Sequence, residues 1–416
     1  MDLNHAAQRR SLIIIWITIF IDLMGVTLII PFVNDFVAEL GGDEQSVGLL
    51  LGSYAFMQLL FAPVWGRISD RIGRRPVIII GLFTSAVGFA IFGLADRLWL
   101  LFDSRMLAGL ANANISTAQA YVADITVPEE RAGRMGLVGA AFNLGFIVGF
   151  PIGGILSSAL GNQAPVLFAA ALSLVNGLAA LVILPESYPR EVRPSVEEAM
   201  SVHPWVVARI TMRNLRRFWK RPTLTRIFSA FFIYSVAFSI IHVTFVEYFR
   251  DVLELTPAER GFVFMFLGVV GAITQGTVVK WLVRRIGESR VIELGLVIAA
   301  VGLGLIPFLR TVALLYVGTF LIGFGNSLII PSVMAAISVR SKEHEQGIAM
   351  GVTQSLGSLA RIIGPPYGGF TYAQINLYFP FISAGAAALG ALGIYASRPR
   401  SSPAEKAATS IAEETM

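Results

Sequence analysis

Long apolar runs alternate with short polar hinges along this chain, and the runs are too long for strands. Twelve of them are read at 11–33, 46–66, 76–95, 98–121, 133–157, 164–184, 223–246, 261–282, 290–309, 311–334, 346–368 and 376–396. A membrane span needs about 20 mostly apolar residues, so each run predicts one transmembrane helix. The runs are continuous rather than alternating, which argues against a β-barrel. The first is not expected to be a cleaved signal peptide, because it lacks a small-residue cleavage site and continues into the helical series. The pattern predicts an all-α polytopic membrane protein of twelve helices.

Composition agrees. Of 416 residues, 55% are hydrophobic and 14% charged, against about 25% charged in a soluble chain. Mean hydropathy is +0.70. There is no cysteine, so disulfides and thiolate metal sites are excluded. His5, His203, His242 and His344 are too scattered for a metal cluster, and no metal is expected.

The basic residues set an orientation. If the chain starts inside, 26 Lys and Arg fall in inner segments, and only Arg97, Arg250, Arg260 and Arg310 in outer loops. That bias places both termini in the cytoplasm. The first outer loop, NDFVAELGGDEQ, is acidic. The net charge of +5 therefore reports topology, and no nucleic-acid partner is expected.

Segment 185–222 divides the spans six and six, giving bundles at 1–184 and 223–396. Its second half, WVVARITMRNLRRFWKRP, interleaves aromatic and aliphatic residues with arginine, as suits a helix lying on an anionic leaflet. The tail, 397–416, is small, polar and expected to be disordered. The two bundles look duplicated. RIGRRPVIIIGL (71–82) matches RIGESRVIELGL (285–296) at an offset of 214. MGLVGAAFNLGFIVGFPIGG (135–154) matches MGVTQSLGSLARIIGPPYGG (350–369) at an offset of 215. Parallel repeats of this kind place a substrate site between the halves near the midplane.

Ionisable groups inside a span are costly and face a cavity or a partner. Asp22 in the first span and Arg105 in the fourth are the natural ion pair. Burial would let Asp22 bind and release a proton. Asn112, Asn114 and Gln119 follow in the fourth span. Gln58, Asn143, His242, Gln275, Asn326 and Gln354 add polar groups in other spans, and Arg361 stands beside Gly364. Amides and a few charges among many Phe and Leu residues suit an amphipathic small molecule. No Walker loop, HExxH or GxSxG pattern appears, so neither ATP nor hydrolysis is expected to drive the protein.

GRISDRIGRRP (66–76) resembles the loop between helices 2 and 3 of the major facilitator superfamily, G-x-x-x-D-R-x-G-R-R. Gly66, Asp70, Arg71, Gly73, Arg74 and Arg75 fit it. The resemblance runs to about residue 396 and implies two pseudo-symmetric six-helix bundles. The first half is most similar to the drug–proton antiporter group that includes the tetracycline–proton antiporters. IDLMGVTLIIPFV, YAFMQLLFAPVWGRISDRIGRRPV, the pair Arg105 and Asp124, and SKEHEQGIAMG carry that likeness. It implies proton or substrate work for Asp22 and Arg105, and gating by Asp70, Arg71 and Asp124. Asp70 is expected near the amino end of the eleventh helix, where the dipole favours it. Asp124 ends a helix and is expected to recruit Arg71 or Arg131.

Two departures stand out. In the antiporter pattern G-x-x-x-G-P-x-x-G-G, the G-P-x-x-G-G part is intact at Gly364, Pro365, Gly368 and Gly369. In the fifth span, however, Phe150 takes the proline's place between Gly149 and Pro151, ahead of Gly153 and Gly154. The eighth and ninth helices also lack the histidine and aspartate of tetracycline exporters, which counts against tetracycline itself.

The leading expectation is a proton-driven exporter of a lipophilic or amphipathic compound. It would be monomeric, without cofactor, in a bacterial inner membrane. The alternative is a uniporter or symporter of a metabolite or organic anion, held by Arg105 and Arg361. The intact hinge motif and polar fourth span argue against a receptor or scaffold.

Overall fold

The computed structural model describes residues 5–111, 114–187, 221–342 and 345–397. The expected interfacial helix, the tail and Asn112 lie outside them. The described residues form helices and no strand. In chain order these are α1 (His5–Ile29), α2 (Val33–Glu39), α3 (Glu44–Ile72), α4 (Arg74–Gly93), α5 (Leu98–Ala111), α6 (Asn114–Asp124), α7 (Pro128–Leu160) and α8 (Gln163–Ile183). After residue 221 come α9 (Pro222–Asp251), α10 (Pro257–Ile273), α11 (Val279–Ile286), α12 (Glu288–Leu305), α13 (Val312–Arg340), α14 (Gln346–Gln374) and α15 (Phe379–Ala396). A π-helical turn, Thr274–Val278, joins α10 to α11.

By length and apolarity, ten helical segments among the described residues can cross a membrane. The other two expected spans correspond to α5 with α6, and to α14. The latter is long enough at 29 residues but mixes Gln, Ser, Arg and Gly with its apolar positions. In lipid every backbone group must be satisfied within the span, so helix is the state these runs adopt. On α8, Leu174, Val175, Leu178, Leu181 and Val182 are all exposed, Val182 to 87%. Their spacing is one helix face, and a stripe of that kind belongs against acyl chains rather than water.

Helix ends follow local chemistry. Asp43 caps α3, accepting from the Ser46 amide at 2.8 Å. Thr256 and Glu259 form a capping box at the start of α10, with Pro257 in the first turn. The repeated Arg-Ile-Gly triplets end α3 and α11 alike. Gly73 has φ +108° and Gly287 φ +79°, a region that favours glycine. The same sequence at an offset of 214 thus makes the same hinge.

Helices α1–α8 and α9–α15 meet mainly along two pairs, α3 with α14 and α7 with α10. The repeated Gly-Gly closes both seams in the same manner. Gly153 lies against Leu28 of α1 and Gly154 against Pro257 of α10, while Gly368 lies against Ile240 of α9 and Gly369 against Glu44 of α3. The first glycine of each pair packs within its own block and the second across to the other. A Cβ at either second position would overlap a backbone carbonyl. Without water to expel between helices, such close packing is a main source of association in a membrane. Phe150, the departure from the expected motif, is buried and stacks on Phe264 of α10 at 5.0 Å between centroids. It joins Phe245, Phe249 and Phe381 in an aromatic core.

Candidate transport site and its two ends

Asp22 on α1 and Arg105 on α5 are both buried, at 6% and 4% exposure. The expected ion pair between them does not form. The Arg105 guanidinium instead faces the ring of Phe92 at 4.7 Å and that of Phe89 at 5.4 Å. The reason is packing. Helix α5 lies against α3 and α4, so α4 supplies the wall Arg105 meets, and that wall is aromatic. Its Nε and Nη2 are buried without a hydrogen bond.

Tyr54 on α3 lies within electrostatic reach of both Arg105 and Arg361. The latter donates to the Ser358 hydroxyl at 3.1 Å. His242 in turn lies within reach of Arg361, its Nδ1 3.1 Å from the Ser239 carbonyl and its ring edge-on to Phe238. One polar cluster therefore draws on α3, α5, α9 and α14, across both blocks. Asn326 is committed elsewhere, accepting from the Tyr234 hydroxyl at 3.1 Å. Gln58 and Asn143 are half-buried, and Gln119, Gln275 and Gln354 exposed. Gln275 sits in the π-turn, a feature that often marks functional positions. The Asn114 backbone is helical, and its side chain is outside the described residues.

At the end carrying the basic hinge, the contacts of Arg74 and Arg75 among the described residues lie within their own block. Arg74 pairs with Asp70 at 2.5 Å and with Asp124 at 3.2 Å. It also donates to Ser69 at 2.6 Å, and its amide to Glu186 at 2.9 Å. One expectation is corrected here: among the described residues the cation beside Asp124 is Arg74 rather than Arg71, the Arg131 side chain lying outside them. The turn at Gly73 is the cause, since it folds Arg74 back over the last turn of α3. Arg75 donates to the Leu181 carbonyl at 2.6 Å, and Gly66 accepts from Ser69 through its carbonyl at 2.7 Å. Asp124 also accepts from Ser187 at 3.3 Å.

Among the described residues, the polar contacts joining the two blocks cluster at the opposite end. Arg260 of α10 pairs with Asp35 of α2 at 2.6 Å and donates to the Pro31 carbonyl at 3.2 Å. Asn34 donates to Glu247 of α9 at 2.5 Å and to the Val243 carbonyl at 3.3 Å. Arg250 pairs with Glu247 one turn away, and reaches Glu44 at 3.7 Å and Asp35 at 3.8 Å. Ser158 accepts from the Ala258 amide at 3.1 Å. Apart from Glu247, a polar group near the outer end of the seventh span, none of these residues is singled out by the sequence. The signal was nonetheless in the sequence: an acidic first loop and two of the four sparse outer arginines belong to the same end.

A bundle of apolar helices in two blocks, sealed at one end and holding buried charges between, defines a membrane transporter rather than an enzyme. The chain belongs to the Major Facilitator Superfamily, whose model matches residues 15–290 and 228–414. It is 30% identical over 393 residues to Multidrug resistance protein 2 of Bacillus subtilis (strain 168), covering 93% of this chain and 94% of that one. It is likewise 30% identical over 369 residues to the class E tetracycline resistance protein of Escherichia coli, covering 88% and 89%. Among solved structures, the fold matches the human organic anion transporter MFSD10 with a TM-score of 0.68 at 23% identity, covering 93% of this chain and 99% of that one. It also matches a bacterial homologue of the human lysosomal transporter Spinster, inward-facing and unoccupied, with a TM-score of 0.78 at 13% identity, covering 94% and 97%.

Proposed function

We propose that the protein is a proton-coupled exporter of lipophilic or amphipathic small molecules, working by alternating access. One observation carries this reading: among the described residues, the polar bonds between the blocks gather at the Asp35 end, and Arg74 of the Asp70 hinge pairs within its own block. A transporter that exposes its centre to one side at a time needs that asymmetry. By the positive-inside rule the sealed end faces outward and the termini face the cytoplasm, in a bacterial inner membrane. Asp22, a carboxylate buried in the first span, is the group that takes the proton. The drug-resistance relatives support export. The energy source is the proton gradient, with no cofactor and a single chain as the working unit.

The test uses purified protein in detergent with a pH-sensitive dye, titrated with a panel of lipophilic compounds. A substrate releases protons from the native chain and none from Asp22→Asn. Binding without release in either protein overturns proton antiport.

A second reading, transport of an organic anion, is favoured by one feature. Arg105 and Arg361, from opposite blocks, both lie within electrostatic reach of Tyr54, and Arg105 has buried N–H groups without acceptors. An anionic group would supply them. Under this reading anionic members of the panel bind, and Arg105→Met abolishes their binding while sparing neutral compounds.

A further inference from the structure

We propose that Glu247 is a second proton-binding site, built into the sealed end, and that its protonation releases that end. The proposal rests on the alternating-access reading above. Glu247 is 1% exposed, yet it sits where the two blocks touch. Its Oε1 accepts from Asn34 of the other block at 2.5 Å. Its Oε2 faces Arg250, though without the alignment of a hydrogen bond.

The surroundings are short of cations. Asp35 comes from α2, Glu44 from α3 and Asp251 from α9, so with Glu247 four carboxylates share Arg250 and Arg260. Arg260 is taken by Asp35 at 2.6 Å. Arg250 is therefore divided among Glu247, Asp251 at 2.8 Å, Glu44 at 3.7 Å and Asp35 at 3.8 Å. Tyr372 of α14 adds only a neutral donor, to Asp251 at 2.9 Å. Carboxylates crowded in this way favour taking up a proton on one of them. Glu247 is the most buried of the four and the one bonded to the other block through an amide.

Asn34 suits both states. Its amide donates to the charged carboxylate, and its Oδ1 is buried with no donor of its own. A proton from the water at this end, once on Glu247, offers an O–H to that oxygen after the amide turns. The bond between the blocks then changes from charge-assisted to neutral, which roughly halves its strength. Arg250 loses its nearest anion in the same step. Acid on this side thus loosens the seal and opens the way toward Asp22.

The chain has no native cysteine, so spin labels can be placed at will. Leu94 and Phe308 are 67% and 68% exposed, at the sealed end of opposite blocks. The experiment measures the distance between labels at these two positions in the purified full chain, between about pH 8 and about pH 5. In the native chain the longer distance grows as pH falls. Glu247→Gln holds the longer distance at every pH. Asn34→Asp places a like charge beside the carboxylate and raises the midpoint by about one unit. Asp22→Asn titrates as the native chain does. The proposal is overturned if Glu247→Gln titrates normally, if the native distance ignores pH, or if Asp22→Asn removes the change. Should Glu247→Gln fail to fold, an unmoved midpoint in Asn34→Asp overturns it alone. Failure of the antiport reading looks different, since dye release would be absent while this titration persists.

Discussion

Asp35 Oδ2 lies 2.6 Å from Nη1 of Arg260, an ion pair between residues 225 positions apart that ties one block of helices to the other. Arg260 is almost wholly buried and Asp35 one-fifth exposed. The pair is charge-assisted and shielded from bulk water, so it belongs with the stronger class. Removing one partner of a buried pair also strands the other charge.

Asp35→Asn and Arg260→Gln should each loosen the sealed end, and the double variant should do so by less than the sum. A coupling of about 1–3 kcal/mol is expected for groups in contact. The readout is the rate at which an impermeant maleimide labels Val243→Cys, a position fully buried beneath the seal. Each single variant should speed labelling by tenfold or more, where tenfold corresponds to about 1.4 kcal/mol. Strict additivity would show that the pair does not hold the closed form.

Glycine at 369 is required by the seam with α3, where a Cβ would overlap the Glu44 carbonyl. Gly369→Ala should destabilise the protein by about 1–3 kcal/mol, the usual scale for overpacking. Gly390 of α15 has open space around it, so Gly390→Ala should be neutral or gain up to about 1 kcal/mol from helix propensity. Thermal unfolding of both variants in detergent separates close packing from a general effect of glycine loss.

Arg105 gives a prediction against intuition. It makes no ion pair among the described residues, and two of its nitrogens lack acceptors. Arg105→Met removes a buried charge and keeps the contact with Phe89 and Phe92. The variant should be as stable as the native chain or more so, as when other buried ionic groups are replaced by apolar ones. Transport of anionic compounds should be lost, and that of neutral ones kept. A large fall in melting temperature would show that the guanidinium is structural.

Asp43 sets a modest pH dependence. Its carboxylate accepts from the Ser46 amide at 2.8 Å and hydroxyl at 2.6 Å. These bonds, hydroxyl first, hold its pKa below the ordinary value of 3.8. A group depressed on folding stabilises the fold above its unfolded pKa and loses that contribution as pH falls through the folded value. Asp43→Ala should therefore cost about 1 kcal/mol at neutral pH, the usual worth of an N-cap. The gap to the native chain should close below about pH 4. A gap independent of pH would exclude the ionised cap as its source.

Much of the site was legible in part. The Gly-Gly repeats and the Arg-Ile-Gly hinges were visible as a duplication, and each repeated sequence performs the same packing task. Asp22 and Arg105 were recognisable as buried charges, because an ionisable residue in an apolar run has nowhere cheap to go. Their pairing was not legible. Two opposite charges in the apolar spans of one block look like partners, but the neighbours of α5 put aromatic rings beside Arg105 instead. Arg74 was read only as one residue of the hinge motif, with Arg71 or Arg131 as the cation for Asp124, and the backbone turn at Gly73 singled Arg74 out.

By itself the sequence determined the all-helical membrane class, the repeat and the asymmetry of charge. These follow from constraints that act locally along the chain. Each span must bond its own backbone in lipid, each hinge must turn, and each basic loop must stay on one side. Of 32 basic residues, 26 lie in expected inner segments and four in outer loops, leaving Arg105 and Arg361 within spans. Only the tertiary structure decided what those charges meet. Asp35 finds Arg260, Asn34 finds Glu247, and Tyr54 comes near two arginines from different blocks, because helix packing brings together positions that no local pattern connects.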